Sequence, residues 1–433
     1  MSMYATGLTD PRAIFESAQA AFSENLMPFW ANNAWDEQYG GFLTRLDRQG
    51  HRLEDHEKIL IMQARMIASL SFAHGHGIQH RGYLELAGRG FDFLVQNFWD
   101  RETGGFHFSV DRQGIPLCTR KNTDFHAYTL IGLAEYYRVS QRPEALDWCH
   151  RVFDVLTHKA ADGEWGYVED FDGAEWDPLN ADQMNLEGQR FVKTIDMHTN
   201  IMEALTYLAR ITRDPDHLTA LRRVVELVVA KGLDPDYGGS ITVFDREWHP
   251  LKDALGNATT SYGINVEIAW LLGEAASVLG EPWDIYRRPI VTLIDHALIY
   301  GFDHERGGLA NYGPMQGHVL AATHLPANRL IKPWWTQAEM MNALMDAYIV
   351  TRNPKYWQAF TKLVGWIWNH QIDHQYGDWY METDWHTGQP TSTDKGGEWK
   401  TAFHAGRALV RTTQTLARLL RESRADSLQS PPL

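Results

Sequence analysis

Six stretches of the chain begin polar and are then apolar on nearly every helical face. They are KILIMQARMIASLSFA (58–73), KNTDFHAYTLIGLAEYY (121–137), KTIDMHTNIMEALTYLA (193–209), SYGINVEIAWLLGEAA (261–276), WWTQAEMMNALMDAYI (334–349) and WKTAFHAGRALVRTTQTLARLL (399–420). A helix that is apolar all round has no face to offer water and must be buried. Between them lie segments with a single apolar stripe, such as YLELAGRGFDFLVQNF (83–98) and HLTALRRVVELVVAKG (217–232), which predict helices wetted on one side.

A second pattern punctuates the first. Glycine-containing, aromatic-rich turns recur at YGGFLTRLDRQG (39–50), TGGFHFSVDRQG (103–114), GEWGYVEDFDG (163–173), YGGSITVFDREW (237–248), RGGLANYGPMQG (306–317) and YGDWYMETDWHTG (376–388), roughly 60 to 75 residues apart. The D-R-Q-G pieces read as turns between short alternating strands, so each copy is expected to be a hairpin or loop. Six alternations of buried and half-buried helices predict an all-α fold, an (α/α)6 barrel of six helix pairs in inner and outer rings. On this reading residues 1–421 make one domain, and the polar, proline-containing end at 422–433 is a flexible tail.

That architecture brings distant residues together. If all six inner helices run the same way, their first turns converge at one mouth, where unpaired N–H groups favour polar or anionic ligands. Arg65 sits in an apolar helix and needs either a carboxylate, with Glu267 or Glu339 as inner-helix candidates, or substrate oxygens. Asp124, His126 and Tyr128 come from the second inner helix. Asp196, Asn200 and Glu203, at i, i+4 and i+7, share a face of the third, with His198 pointing elsewhere. Trp334, Trp335 and Trp399 lie at helix starts, where flat rings can stack on sugars, and His404 follows Trp399 by five residues.

Composition narrows the chemistry. The 433 residues carry a formal net charge of −15 without a basic block, which excludes a nucleic-acid partner. No apolar run approaches the roughly 20 residues a membrane span requires. The N-terminus has neither a basic region nor an apolar signal core, and two cysteines, Cys118 and Cys149, suit reduced thiols, so a cytoplasmic monomer or homodimer is expected. No Ser/His/Asp spacing, phosphate loop or metal-ligand spacing is present, and neither a metal nor another cofactor is expected. The partner expected is a carbohydrate, a mono- or disaccharide.

Taken together, five motifs resemble the N-acylglucosamine 2-epimerase superfamily, and especially its cellobiose 2-epimerase branch. They are Q-A-R ending at Arg65, K-T-x-D-x-H followed by E-A at 193–204, S-Y-G-x-x-x-E at 261–267, W-W-x-Q-A-E at 334–339 and W-K-x-x-F-H at 399–404. The resemblance spans nearly the whole chain and implies a sugar isomerase or epimerase acting at the reducing end of an aldose. In such enzymes a histidine removes the proton alpha to the opened carbonyl and gives an enediolate. By resemblance His404 is an acid/base group, Arg65 stabilises the enediolate, Glu267 orients a neighbour, and Trp335 and Trp399 hold the rings.

Three positions depart from that pattern. Ile264 stands where the family has its second catalytic histidine, Asn200 where a histidine is usual, and Asp124 where a tyrosine is usual. Isoleucine carries no proton, so His126, His198 and Asp124 become candidates for a relocated partner. Two other readings stay open on the residues: a glycoside hydrolase or lyase using Asp124, Asp196 or Glu267 as carboxylate acid or base, and a non-catalytic sugar-binding protein.

Overall fold

The structure, a computed structural model, describes residues 9–53, 57–77, 82–179, 193–251, 259–321 and 330–429. Thirteen helices follow in order among these residues: α1 (Pro11–Ala20), α2 (Met27–Asn33), α3 (Leu60–Gly75), α4 (Tyr83–Asn97), α5 (Thr123–Ser140), α6 (Pro143–Val155), α7 (Ile195–Thr212), α8 (Pro215–Lys231), α9 (Tyr262–Leu279), α10 (Arg287–Tyr300), α11 (Trp334–Thr351), α12 (Pro354–Trp366) and α13 (Phe403–Gln429). The apolar helices α3, α5, α7, α9, α11 and α13 each pack on the next, and α13 packs back on α3, so the inner ring closes. The striped helices α4, α6, α8, α10 and α12 pack outside their preceding inner helix, and α1 covers α13. The chain's first helix therefore supplies the sixth outer position, beside its last helix.

The junctions follow from local sequence. Inner helices α5, α7, α9 and α11 end on a left-handed residue, Gln141, Arg213, Gly280 and Arg352, with φ of 55°, 54°, 71° and 56°. That turn reverses the chain, and a proline two residues on (Pro143, Pro215, Pro282, Pro354) cannot continue the old helix; Pro143, Pro215 and Pro354 open the next helix, while Pro282 leads into a short 3-10 turn before α10. At the other end Asn122, Thr194 and Ser261 cap α5, α7 and α9 by accepting the backbone N–H three residues on.

The Gly-rich segments form the hairpins expected and add a second kind of pairing. The Asp111–Gly114 turn closes a hairpin, β2 (Ser109–Asp111) with β3 (Pro116–Cys118), and single antiparallel bridges close the same turn at Leu46–Arg52, Phe171–Pro178, Phe244–Pro250 and Thr383–Pro390. Further pairings join separate modules: the strand leading into an inner helix pairs antiparallel with the turn of the following module. Glu57–Ile59 (β1) pairs with β2, Lys121–Asn122 with Asp170–Phe171, Lys193–Thr194 with Val243–Phe244, Thr259–Ser261 with Tyr312–Pro314, and Ile331–Pro333 with Glu382–Asp384. These staples stitch neighbours around the mouth.

In all but one module a buried ion pair fixes the entry to the inner helix. The lysine two residues before the helix reaches the aspartate opening the preceding Gly-rich turn: Lys58–Asp36 at 3.1 Å, Lys121–Asp100 at 2.8 Å, Lys193–Asp162 at 2.9 Å and Lys332–Asp303 at 2.7 Å. Lys400 bonds Asp378 at 2.5 Å in the sixth module. The fourth module has Thr260 in the lysine's place, and no such pair forms there among the described residues. These ammonium groups are buried, and a buried charge persists only when it is paired.

Candidate active site

Counted from that lysine, the inner helices share one register. Seven residues on stand Arg65, Tyr128, Asn200, Glu267, Glu339 and Arg407, one from each inner helix, with Thr260 as the reference in the fourth. They form a polar belt beneath a cavity of about 670 Å³ at the N-terminal ends of the inner helices. Arg65, Asp124, Asp196, Asn200, Glu267, Trp334, Trp335, Trp399 and His404 all line this cavity. Of the other sequence candidates, Tyr128 lines it too, whereas Glu203, Glu339, His126 and His198 do not.

Those two histidines stand five residues after the lysine, a position with a different job. His126 Nδ1–H donates to the Asn122 carbonyl (2.7 Å) and Nε2 accepts from Phe106 N–H (2.8 Å). His198 Nδ1–H donates to the Thr194 carbonyl (2.8 Å) and Nε2 accepts from Tyr167 N–H (3.2 Å). Gln63, Asn265 and Gln337 take the same place in other modules, accepting from Phe42, Ser240 and Leu309 N–H at 2.7, 2.7 and 2.8 Å. The fit is close: a Cβ on Gly166 would fall 2.7 Å from His198 Nε2. Both rings have their two nitrogens engaged by backbone. Burial lowers them to about 4 and about 3, so both are neutral near pH 7. This geometry removes them as the relocated proton carrier.

His404 is differently placed. Its Nδ1–H donates to Glu339 Oε1 at 2.6 Å, and no other hydrogen bond to the ring is found among the described residues. Trp334 and Trp335 flank it, with ring centroids 6.3 and 6.1 Å away. Burial lowers His404 to about 4 against the opposing pull of Glu339, so at neutral pH the imidazole is uncharged and Nε2 keeps a lone pair.

Glu339 is the hinge of the polar belt. Its Oε2 accepts from Trp270 Nε1–H at 2.7 Å, and its Oε1 accepts from Arg407 Nη2 at 2.8 Å as well as from His404. Burial alone would raise it, but Arg407 and His404 hold it down at about 2. Arg407 also bonds Glu203 closely and approaches Glu267 at 3.5 Å. Burial raises Glu203 to about 7, and burial together with Glu339 pushes Glu267 well up. One guanidinium thus faces three carboxyls, of which Glu339 keeps its charge most firmly.

The expected pairing of Arg65 with Glu267 or Glu339 is not what forms. Both carboxyls turn to Arg407, which sequence reasoning passed over because A-G-R reads as helix interior; the lysine register is the signal that marks it. Arg65 lies over the Tyr128 ring at 4.0 Å and donates to the Trp399 carbonyl, and its Nε has no partner among the described residues. A buried cation without a carboxylate partner, at a cavity wall, is poised for an anionic oxygen. Trp399 is 45% exposed and lies four residues before α13, in irregular chain rather than at a helix start, so its ring is free to stack on a ligand.

Asn200 organises the far wall. Tyr128 Oη–H donates to Asn200 Oδ1 at 3.0 Å, which turns the amide nitrogen toward two carboxyls: Nδ2 donates to Asp124 Oδ1 at 2.8 Å and Asp196 Oδ1 at 3.2 Å. Asp124 is buried, whereas Asp196, deep in the barrel, is wetted by the cavity. Burial raises Asp124 to about 7, with Asp196 as the second cause, and the surrounding protein raises Asp196 too, against Arg65.

A site for three donor atoms also emerges that no sequence spacing shows: Glu267, Glu339 and His404 bring ligand-type atoms within 4.8 Å of one another. Arg407 already supplies positive charge to both carboxyls there. Among the described residues no helix is long and apolar enough to cross a membrane.

Comparison with known proteins places this geometry. Residues 40–408 match the family model described as N-acylglucosamine 2-epimerase (GlcNAc 2-epimerase). A cellobiose 2-epimerase of Bacteroides fragilis is 27% identical over 397 residues, covering 91% of this chain and 97% of the relative. The N-acylglucosamine 2-epimerase of Mus musculus is 23% identical, covering 94% and 93%. Among solved structures, the cellobiose 2-epimerase of Spirochaeta thermophila superposes with a TM-score of 0.83 at 26% identity, over 95% of this chain and 98% of that one. A D-mannose isomerase superposes at 0.77 with 20% identity, over 96% and 99%, a likeness of fold alone.

Proposed function

The chain belongs to the N-acylglucosamine 2-epimerase family and is an enzyme of carbohydrate epimerisation or isomerisation; from that membership we propose that His404 is its base, acting on the opened reducing end of an aldose or disaccharide. The observation that carries this reading is the His404–Glu339–Arg407 chain: Nδ1–H is fixed on a charged carboxylate, so the lone pair of Nε2 is free for substrate.

The step follows from the geometry. His404 Nε2 takes the C2 proton, the C2–H electron pair forms the C1=C2 bond, and the carbonyl π pair moves onto O1. The enediolate so formed lies within reach of Arg65, whose unpaired Nε–H suits the new negative charge. The imidazolium is stabilised by Glu339, which stays ionised throughout. Returning the proton from His404 to C1, with O2–H to O1 transfer, gives the ketose; delivering a proton to C2 from the other side gives the 2-epimer. Trp335 packs so close to Gly263 that a Cβ there would fall 2.5 Å from its ring, and with Trp399 it lines the cavity where aromatic rings can stack on the sugar. A cytoplasmic setting accords with two cysteines left as free thiols.

Incubation with aldoses and disaccharides in D2O tests this reading. Deuterium at C1 or C2 of recovered sugar is the expected result. Release of a reducing sugar from a disaccharide without exchange would overturn it in favour of hydrolysis, and binding without either would overturn it in favour of a sugar-binding protein.

A further inference from the structure

Enediolate chemistry that ends in a 2-epimer needs a proton donor on the face opposite the base. Ile264, buried on α9 and outside the cavity lining, does not supply one. The order of the inner ring says where to look. With neighbours α3–α5–α7–α9–α11–α13 closed into a ring of six, the helix diametrically opposite α13 is α7. His404 is therefore faced across the cavity by the α7 wall, and that wall presents Asp196, with Asp124 beside it on α5.

We propose that Asp124 and Asp196, held together by the Asn200 amide, act as one acid/base group that serves C2 from the face opposite His404. The inference rests on the enediolate reading. Three observations support it. Both carboxyls line the same cavity as His404 and Arg65. Both accept from one nitrogen, Asn200 Nδ2, whose orientation Tyr128 fixes through Oδ1. Two carboxyls brought this close cannot both ionise easily, so the pair keeps one proton toward neutral pH, when an isolated aspartate has lost its own. The charged groups around it are Arg65 on α3, Glu169 and Asp170 on the strand segment preceding α7, and Glu267 on α9. One cation among several carboxyls leaves the pair's proton in place.

The proton count closes. His404 takes the C2 proton from one face, and the pair gives its proton to C2 on the other as the O1 electron pair restores the carbonyl. His404 then carries one proton more and the pair one fewer, and exchange with cavity water restores both. In the reverse direction the pair is the base and His404 the acid. Neither oxidant nor co-reactant enters.

The experiment compares wild type with Asp196→Asn and Asp124→Asn, each of which keeps the shape but removes a titrating oxygen. Substrate is incubated in D2O, and epimer, ketose and C1/C2 deuterium are counted by NMR. The epimer-to-ketose ratio is expected to fall about 10²-fold or more in either variant, while ketose formation through His404 persists. Should both variants fail to fold, the wild-type ratio carries the test: it is expected to fall as pH rises through about 7, where the pair gives up its proton. A ratio unchanged in folded variants, a flat wild-type ratio across that pH, or a wild type that makes ketose and no epimer overturns the pair's role while leaving His404 as base. Absence of deuterium in wild type overturns the enediolate reading itself, and this inference with it.

Discussion

Replacing Glu339 by glutamine removes one charge and almost no volume. The glutamine oxygen can still accept the His404 Nδ1–H that Glu339 holds at 2.6 Å, so tautomer and ring orientation persist. What disappears is the anion facing the imidazolium that forms as His404 takes the C2 proton. Two unit charges with centres roughly 4 Å apart at an effective dielectric near 20 interact by about 4 kcal/mol. Arg407 offsets part of this, because in the native enzyme it already neutralises some of the Glu339 field. A loss of about 3 to 4 kcal/mol remains, or a fall in kcat of roughly 10²–10³-fold. KM should hardly move, since the stacking tryptophans and Arg65 are untouched.

The assay is C2-proton washout into D2O under saturating sugar, with thermal unfolding run alongside to show that Arg407 still holds the barrel through Glu203. A second readout separates electrostatics from damage. Burial lowers His404 to about 4 even though Glu339 pulls the other way, so the acid limb of kcat/KM lies near 4 in wild type. Without Glu339 the limb should move to still lower pH. A folded variant with kcat within about fivefold of wild type would refute the assignment of His404 as the base. A lower rate with an unmoved acid limb would mean that Glu339 acts by packing rather than charge.

His126→Gln and His198→Gln are expected to retain kcat within about threefold and to lose about 1 kcal/mol of stability, because Gln63 and Gln337 make the equivalent backbone contact elsewhere in the ring; a loss approaching 10²-fold in a folded variant would restore either histidine as a proton carrier. Lys121→Met strands Asp100 in a site that water reaches poorly and should cost about 3–5 kcal/mol in urea unfolding, with Asp100→Asn recovering part of the loss; additive effects would deny the coupling. Acid should unfold the barrel through the same pairs. Arg112 and Lys58 overcome burial to hold Asp36 at about 2; Lys121 holds Asp100 low, Arg246 with Lys193 holds Asp162 low, and Lys332 holds Asp303 low. A depressed folded pKa contributes stability that is complete above the ordinary carboxylate range and is lost as pH falls from about 4 toward 2. Circular dichroism that stays flat to pH 2 would refute it.

The alternation of buried and striped segments made the two rings legible, because burial on every face is written directly in the inner-helix residues. It also placed Arg65, Asp124, Asp196 and His404 at one mouth, since a shared helix direction is enough to gather first turns. What periodicity does not record is the partner of each polar atom. His126 and Gln63 differ in chemistry yet hold the same backbone position, so a histidine met alone on an apolar helix looked catalytic when it was a structural fastener. Arg65 and Glu267 look complementary in sequence, but Arg65 is held over the Tyr128 ring and on the Trp399 carbonyl, and Arg407 on α13 is the cation that reaches Glu267 and Glu339. The missing information is the register that counts from Lys58, Lys121, Lys193 and Lys332, five residues to the fasteners and seven to the belt, with Lys400 seven residues before Arg407.

The proposed carboxyl pair would let the enzyme address C2 from two sides without a second histidine. A proton donor for C2 has to stand on the correct side of the enediolate plane with a proton to give; its residue type is secondary. Histidine satisfies this with an unperturbed pKa near neutrality, while aspartate does so only when its surroundings raise it well above the ordinary carboxylate range. At Asp124 burial and a carboxyl neighbour provide that rise together, and Asn200 holds the neighbour close enough to matter. On the proposal made above, Asp124, Asp196 and Asn200 form one arrangement, a clamped carboxyl pair on α5 and α7 that serves C2 where Ile264 on α9 carries no proton.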